Sequence, residues 1–239
     1  WPLVLSAGRN NLYVHVPETK SYKRVNDLMK IAGYNQHTVA GLEAMGIDAP
    51  LWDAKTQNEF LTKYAKQFER LVHRSGQVGA TYDPITETLS EGVHGFSKKL
   101  VPAFHKEVDI WLRKLGGEDA ETLLDWLAVA PNVRADALPA LYIEGPKGAG
   151  KSMLIQGLAK MFESGYPVDY MSVGAEFNED LVNCPIISAD EGIKVHNRDK
   201  AAASKVFRNL TGNESHKIRR KGKIESDLHG YLRVLITAN

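Results

Sequence analysis

The chain has 239 residues, enough for one large domain or two small ones with a sizeable buried core. Hydrophobic residues make up 43% and charged residues 25%, and the formal net charge of +1 excludes a global polyanion-binding surface, so any nucleic-acid contact must come from a local patch. The single cysteine, Cys184, excludes an intrachain disulfide and fits a reducing compartment; no apolar run approaches the ~20 residues of a membrane span, and Trp1-Pro2-Leu3-Val4-Leu5 lacks the basic lead of a signal peptide.

In chain order, Leu3–Ser6 and Leu12–Val16 read as short strands around a Gly8-Arg9-Asn10-Asn11 turn. Val25–Ile31 reads as helix. Asn58–His73 carries Phe60, Leu61, Tyr64, Phe68, Leu71 and Val72 at helical spacing. Arg74–Lys98, rich in Gly, Ser and Thr, reads mainly as loop. Phe104–Leu115 is a helix with Val108, Ile110, Trp111, Leu112 and Leu115 on its apolar side, ended by Gly116-Gly117. Glu121–Ala130 is a second helix, and Trp111 and Trp126 read as core anchors of the pair. Pro131–Pro139 is a linker. From Leu138 the pattern becomes strand, loop, helix, strand: Leu141–Ile143, a helix over Met153–Phe162, strands at Val168–Ser172 and Pro185–Ala189, a helix over Lys200–Leu210 and a strand at Tyr231–Ala238. Such alternation predicts an α/β fold with a mainly parallel sheet covered by helices.

The chemistry is concentrated in that second part. Gly145-Pro146-Lys147-Gly148-Ala149-Gly150-Lys151-Ser152 has the form G-x-x-x-x-G-K-[ST], the phosphate-binding loop called Walker A, with a strand before it and a helix after it. Glycines let the backbone wrap closely and aim N–H groups at phosphate oxygens, and the helix N-terminus adds partial positive charge. Lys151 would reach the β- and γ-phosphates of ATP, and Ser152 would hold Mg²⁺. Ile186-Ile187-Ser188-Ala189-Asp190-Glu191 is an apolar strand ending in two acids, the form of Walker B: Asp190 would ligate Mg²⁺ and Glu191 would act as general base on the attacking water. Asn239 ends another apolar strand, where its amide would orient that water and sense the γ-phosphate. Lys217, Arg219, Arg220, Lys221 and Lys223 form the densest basic cluster; with Gly222 at a turn, they would make a hairpin that tracks a DNA backbone with little sequence preference. The eight histidines form no metal site by spacing, and Cys184 reads as a core residue.

With the three motifs in this order, the C-terminal part resembles a superfamily 3 helicase, a branch of the AAA+ ATPases encoded by viruses, phages and mobile elements. Walker A spans 145–152, Walker B 186–191 and motif C 232–239, while Phe207–Glu214 followed by Lys217–Lys223 looks like the family's B′ motif, a helix and hairpin projecting into the channel of a hexamer. Leu123–Ala128, with Tyr82-Asp83-Pro84 and Phe104-His105 upstream, is similar to the segment that precedes the ATPase in poxvirus and phage primase-helicases. The resemblance implies an N-terminal accessory region of mixed α/β character over residues 1–100, a helical lead-in over 101–134 and a P-loop AAA+ core over 135–239. It also implies ATP and Mg²⁺ as cofactors, DNA as partner, a homo-oligomer of hexameric size, a primase domain or other replication partner, and a cytoplasmic location in a bacterium or an infected host. Family members continue past motif C with an arginine finger and a lid, so a chain running from Trp1 to Asn239 is expected to be a fragment. Other readings stay open: an AAA+ ATPase that remodels or loads partners without unwinding, a P-loop small-molecule kinase, or a catalytically silent assembly module.

Overall fold

A computed structural model describes residues 3–6, 12–16, 19–25, 65–96, 101–162, 165–173, 176–189, 200–221 and 225–239. The Gly8–Asn11 turn and all but Val25 of the helix expected over Val25–Ile31 lie outside these residues, as do Asp190, Glu191, Gly222 and Lys223. The chain divides into one unit of Trp1–Leu71 with Gly79–Ser90 and another of Val72–Val78 with Glu91–Asn239.

The first unit is built of strands where it is described. Strand β1 (Leu3–Ser6) pairs antiparallel with β2 (Leu12–Val16), which pairs with β3 (Ser21–Val25); β1 also runs parallel to β4 (Ala65–Phe68). Val4 faces Tyr13 across the first pair, and both are buried with Phe68, Leu71, Ala80 and Leu89. The Tyr13 and Phe68 rings meet edge to face at 5.9 Å. The helix expected over Asn58–His73 is not formed in its described half, which is β4 followed by β5 (Arg70–Ser75). A bend at Glu69 separates them, where the N–H groups of Glu69 and Arg70 both point to Glu87 O, at 2.9 and 3.4 Å. Two successive amides on one carbonyl is the pattern of a bulge, so strand pairing has overridden helical spacing here. Nor is Arg74–Lys98 mainly loop: it holds β6 (Ala80–Asp83) and β7 (Thr88–Val93). Their turn is closed by Asp83, which accepts from Ile85 N–H at 2.9 Å and from Thr86 Oγ1 at 2.7 Å.

The second unit contains a four-stranded, wholly parallel sheet in the order β8 (Leu141–Glu144), β13 (Arg233–Ala238), β10 (Ile186–Ala189), β9 (Val168–Asp169). Helices α1 (Lys106–Gly116) and α2 (Ala120–Val129) precede it and α3 (Lys151–Ala159) follows β8. Acids Glu107 and Asp109 at the start of α1 and bases Arg113 and Lys114 at its end suit the helix dipole, and Gly117, at φ +56°, stops it with its N–H on Arg113 O. Leu123, Trp126, Ala130 and Val133 share a core with Ile143, with Leu154, Ile155 and Leu158 of α3, and with Ile186, Ile187, Val234 and Leu235 of the central strands. Removing these apolar surfaces from water is the main force holding sheet and helices together. The strand expected at Val168–Ser172 stops after Asp169, whose carboxylate accepts from Met171 N–H at 2.8 Å and opens a single turn, α4 (Tyr170–Val173). Helix α5 (Lys200–Gly212) leads into an antiparallel hairpin of β11 (Ser215–Ile218) and β12 (Ser226–His229); β12 runs parallel to β5 at Asp227 to Val72 and His229 to Arg74. Overall the described chain is a mixed α/β protein with parallel strands.

Candidate functional site

The loop Gly145–Ser152 leaves the C-terminal end of β8 and enters α3. Its first amide, Gly145 N–H, still bonds Ala238 O of β13 at 3.3 Å, so the loop starts from the sheet. Ala149 N–H bonds Pro146 O at 3.2 Å, which closes a tight turn, and Gly148 and Gly150 adopt left-handed φ of +88° and +98°. No side chain with a Cβ takes these values without strain. Gly150 is the N-cap of α3, and Leu154 N–H reaches back to its carbonyl at 3.0 Å. A Cβ built on Gly145 or on Gly148 would meet nothing within 4 Å, and Pro146, Lys147, Gly148 and Ser152 are exposed.

Lys151 is the buried member of the loop, 8% exposed. Its ammonium donates to Gly145 O, to Pro146 O at 3.2 Å and to Asn239 Oδ1 at 3.0 Å. The two residues are 88 positions apart, and the sheet brings them together: β8 and β13 are parallel neighbours in register from Leu141–Leu235 to Glu144–Ala238. The strand that leads to Asp190, β10, is the other neighbour of β13, with Ala189 opposite Ile236. Thus β13 lies between the strand that launches the loop and the strand that ends before the two acids. A buried arginine secures β13. Arg233 is fully buried, and its guanidinium donates to Ala130 O at 2.9 Å, Asn132 O at 2.8 Å and Leu232 O at 3.4 Å. Burial draws its pKa down to about 10, against the pull of Asp136, so it stays charged at neutral pH. Nothing in the sequence marked it, because one arginine in an apolar strand reads as the strand's outward face.

The described part of the basic cluster, Lys217 to Lys221, starts on β11 of the antiparallel hairpin, but its charges are largely spoken for. Lys217 is exposed and pairs with Asp227 at 2.7 Å and Glu225 at 3.7 Å; Arg219 pairs with Glu225 at 3.3 Å. Arg220 turns inward, its terminal nitrogen 3.2 Å from His73 Nε2. A guanidinium only donates, so Nε2 accepts, and the other ring nitrogen of His73, 3.3 Å from Glu91 Oε2, carries the proton. Lys221 is exposed at the turn. The hairpin is fastened from one side by Asn178, whose amide accepts from Arg219 N–H at 2.8 Å and donates to Lys217 O at 2.9 Å. The acids that pair with Lys217 and Arg219 follow them in sequence by 6 to 10 residues, and the antiparallel register sets Lys217 opposite Asp227.

A fold of this class, a mixed α/β chain with a glycine loop at the edge of a parallel sheet, is similar to that of solved structures of the C-terminal region of NrS-1. The apo structure of its residues 305–718 matches with a TM-score of 0.63 at 16% identity, over 99% of this chain and 54% of that one. An A-form apo structure of the same region matches with a TM-score of 0.59 at 15% identity, over 99% and 53%. At such identities the likeness is one of fold, and this chain spans about half the length of the NrS-1 chains it matches. Residues 143–239 match a family of unknown function, DUF5906. No curated protein matches the chain. Among the described residues, no helix is long and apolar enough to cross a membrane.

Proposed function

We propose that this chain is the ATP-hydrolysing core of a DNA replication protein, a helicase of the superfamily 3, AAA+ kind, from a virus, phage or mobile element. The observation that carries the reading is the contact of Lys151 with Asn239, since it joins the loop lysine to the amide that ends the strand lying between the loop strand and the acid strand. The described part of the loop suits the phosphates of a nucleotide. Left-handed Gly148 and Gly150, clear space where a Cβ would stand on Gly145 and Gly148, and a buried ammonium at the start of a nine-residue helix support an oligophosphate seated on the loop.

Mg·ATP supplies the phosphoanhydride whose cleavage drives the cycle. Gly145–Ser152 would hold the phosphates through backbone N–H groups, and Ser152 with Asp190 would hold the metal. Lys151 would place its charge where negative charge grows on the phosphoryl oxygens. Asn239 fixes the Lys151 ammonium and would orient water, from which Glu191 would take the proton. Lys221 and Lys223 would touch the DNA backbone, with turnover of the loop moving the hairpin along it.

The test is phosphate release with Mg·ATP, with and without DNA, in the full-length parent protein. Lys151→Ala should lower turnover about 100-fold or more. Glu191→Gln should leave ATP bound and turnover collapsed; normal turnover in that variant removes Glu191 as the base. A second reading has an observation in its favour. Pairing of Lys217 and Arg219 with Glu225 and Asp227 leaves fewer cations for DNA, as in an AAA+ ATPase that remodels or loads a partner without unwinding. ATP turnover unaffected by DNA, with no strand separation on a fork, would favour that reading.

A further inference from the structure

Trp111 and Trp126 read alike in the sequence, as anchors between two helices, but their surroundings differ. Trp126 is buried, and its Nε1–H donates to Pro139 O at 2.9 Å. Trp111, on α1, is half-buried, and its Nε1–H points instead at Ala149 O, inside the glycine loop, at 3.4 Å. The same indole lies against the next residue. A Cβ placed on Gly150 would stand 2.6 Å from Nε1, 3.1 Å from Cε2 and 3.2 Å from Cζ2. Gly150 is therefore required twice, for its φ of +98° and for the ring edge that occupies the place of a side chain.

The geometry of a peptide gives this contact a consequence. The bond between Ala149 and Gly150 is trans, so its C=O and N–H point in opposite directions. Holding the Ala149 carbonyl toward α1 turns the Gly150 N–H away from α1. Loop amides serve phosphate only if their direction is set beforehand, because a loop that must order on binding spends affinity on entropy. We propose that Trp111 is a positioning residue for the phosphate loop, bracing the Ala149–Gly150 peptide from the helix that precedes the sheet; this rests on the reading of the loop as a nucleotide site.

The test uses the full-length protein with Trp111→Phe, which keeps a ring but loses the N–H, and Trp111→Ala. Three quantities are measured: hydrogen exchange of the loop amides without nucleotide, binding of a fluorescent ATP analogue with Mg²⁺, and the thermal midpoint. Trp111→Phe should speed exchange across residues 148–151 and weaken binding about threefold to tenfold, the worth of one neutral hydrogen bond, with the midpoint lowered by no more than about 2 to 4 °C. Trp111→Ala should weaken binding further; if it does not fold, the Phe variant decides alone. Unchanged loop exchange in Trp111→Phe overturns the brace, whatever its nucleotide affinity, and returns Trp111 to ordinary core packing. If the wild-type protein binds no analogue while Lys151→Ala behaves identically, the nucleotide reading fails. Faster loop exchange in Trp111→Phe would still uphold the brace in that case.

Discussion

A buried histidine in the second unit ties three distant stretches together. His94 sits at left-handed φ of +55°, with Nδ1 2.8 Å from Ser75 Oγ and Nε2 2.8 Å from Leu181 O. A carbonyl only accepts, so Nε2 carries the proton and Nδ1 accepts from the serine hydroxyl. A second proton on Nδ1 would abolish that acceptance. Burial pushes the pKa down to about 4, with the Leu181 hydrogen bond opposing and nearby His73 adding to the fall. The unfolded chain takes up a proton near pH 6.5, so between pH 6.5 and about 4 it binds more protons than the native state. Stability from this group is complete above pH 6.5 and is lost as pH falls toward 4. At about 1.4 kcal/mol per unit, the loss by pH 4.5 is about 2 to 3 kcal/mol. Urea unfolding at pH 7 and pH 4.5 should show it in the wild type. His94→Asn, a residue that tolerates left-handed φ, should be less stable at pH 7 but should lose correspondingly less on acidification. Equal acid losses in the two proteins would remove His94 as the sensitive group.

Among the elements, legibility tracks how local each one's causes are. The glycine loop and its flanking strand and helix were readable because Gly148, Gly150 and the start of α3 at Lys151 depend on backbone conformations that a few adjacent residues dictate. The strands β4 and β5 were not, because Phe68, Leu71 and Val72 fit helical spacing equally well and only pairing with β1 and β12, strands far away in sequence, decides between the two. Strands β6 and β7 had a local signal, Asp83-Pro84, that was outweighed by the surrounding Gly, Ser and Thr. The hairpin of β11 and β12 is an intermediate case: a hairpin was legible from the basic run after Lys217, while the acids facing Lys217 and Arg219 were not. That pairing shapes the expected DNA behaviour. Lys221 and Lys223 should carry the backbone contacts, so replacing both with Ala should flatten the log–log salt slope on single strands by about 1.4, at ~0.7 per contact. Lys217→Ala should change the slope by less, because Asp227 already holds that ammonium. An unchanged slope in the double variant would make the hairpin an ordinary solvated surface.

For the molecule as a whole, the open face of the loop bears on assembly. Charge stabilisation during phosphoryl transfer is strong only where water is excluded and donors are fixed beforehand. Lys151 meets that condition, but Pro146, Lys147, Gly148 and Ser152 are exposed. A triphosphate seated on this loop would remain partly in water and its charge partly screened, which favours binding over fast hydrolysis. If the chain works as proposed, something must cover that face when turnover occurs, and the resemblance supplies an occupant: a second copy contributing an arginine in trans, in a ring of six. A nucleotide shared by two subunits binds the assembly better than the separate subunit, so by mass action it should drive association. Light scattering on the full-length parent protein should show a small species alone and a hexamer-sized one with Mg²⁺ and a slowly hydrolysed ATP analogue. Turnover per subunit should then rise with protein concentration until the ring is formed. Lys151→Ala, which removes the buried charge proposed to meet the phosphates, should leave the small species unchanged and suppress the large one. A protein that stays monomeric with nucleotide and DNA present, yet hydrolyses ATP at a rate independent of its own concentration, would show the site complete within one chain and set the ring aside.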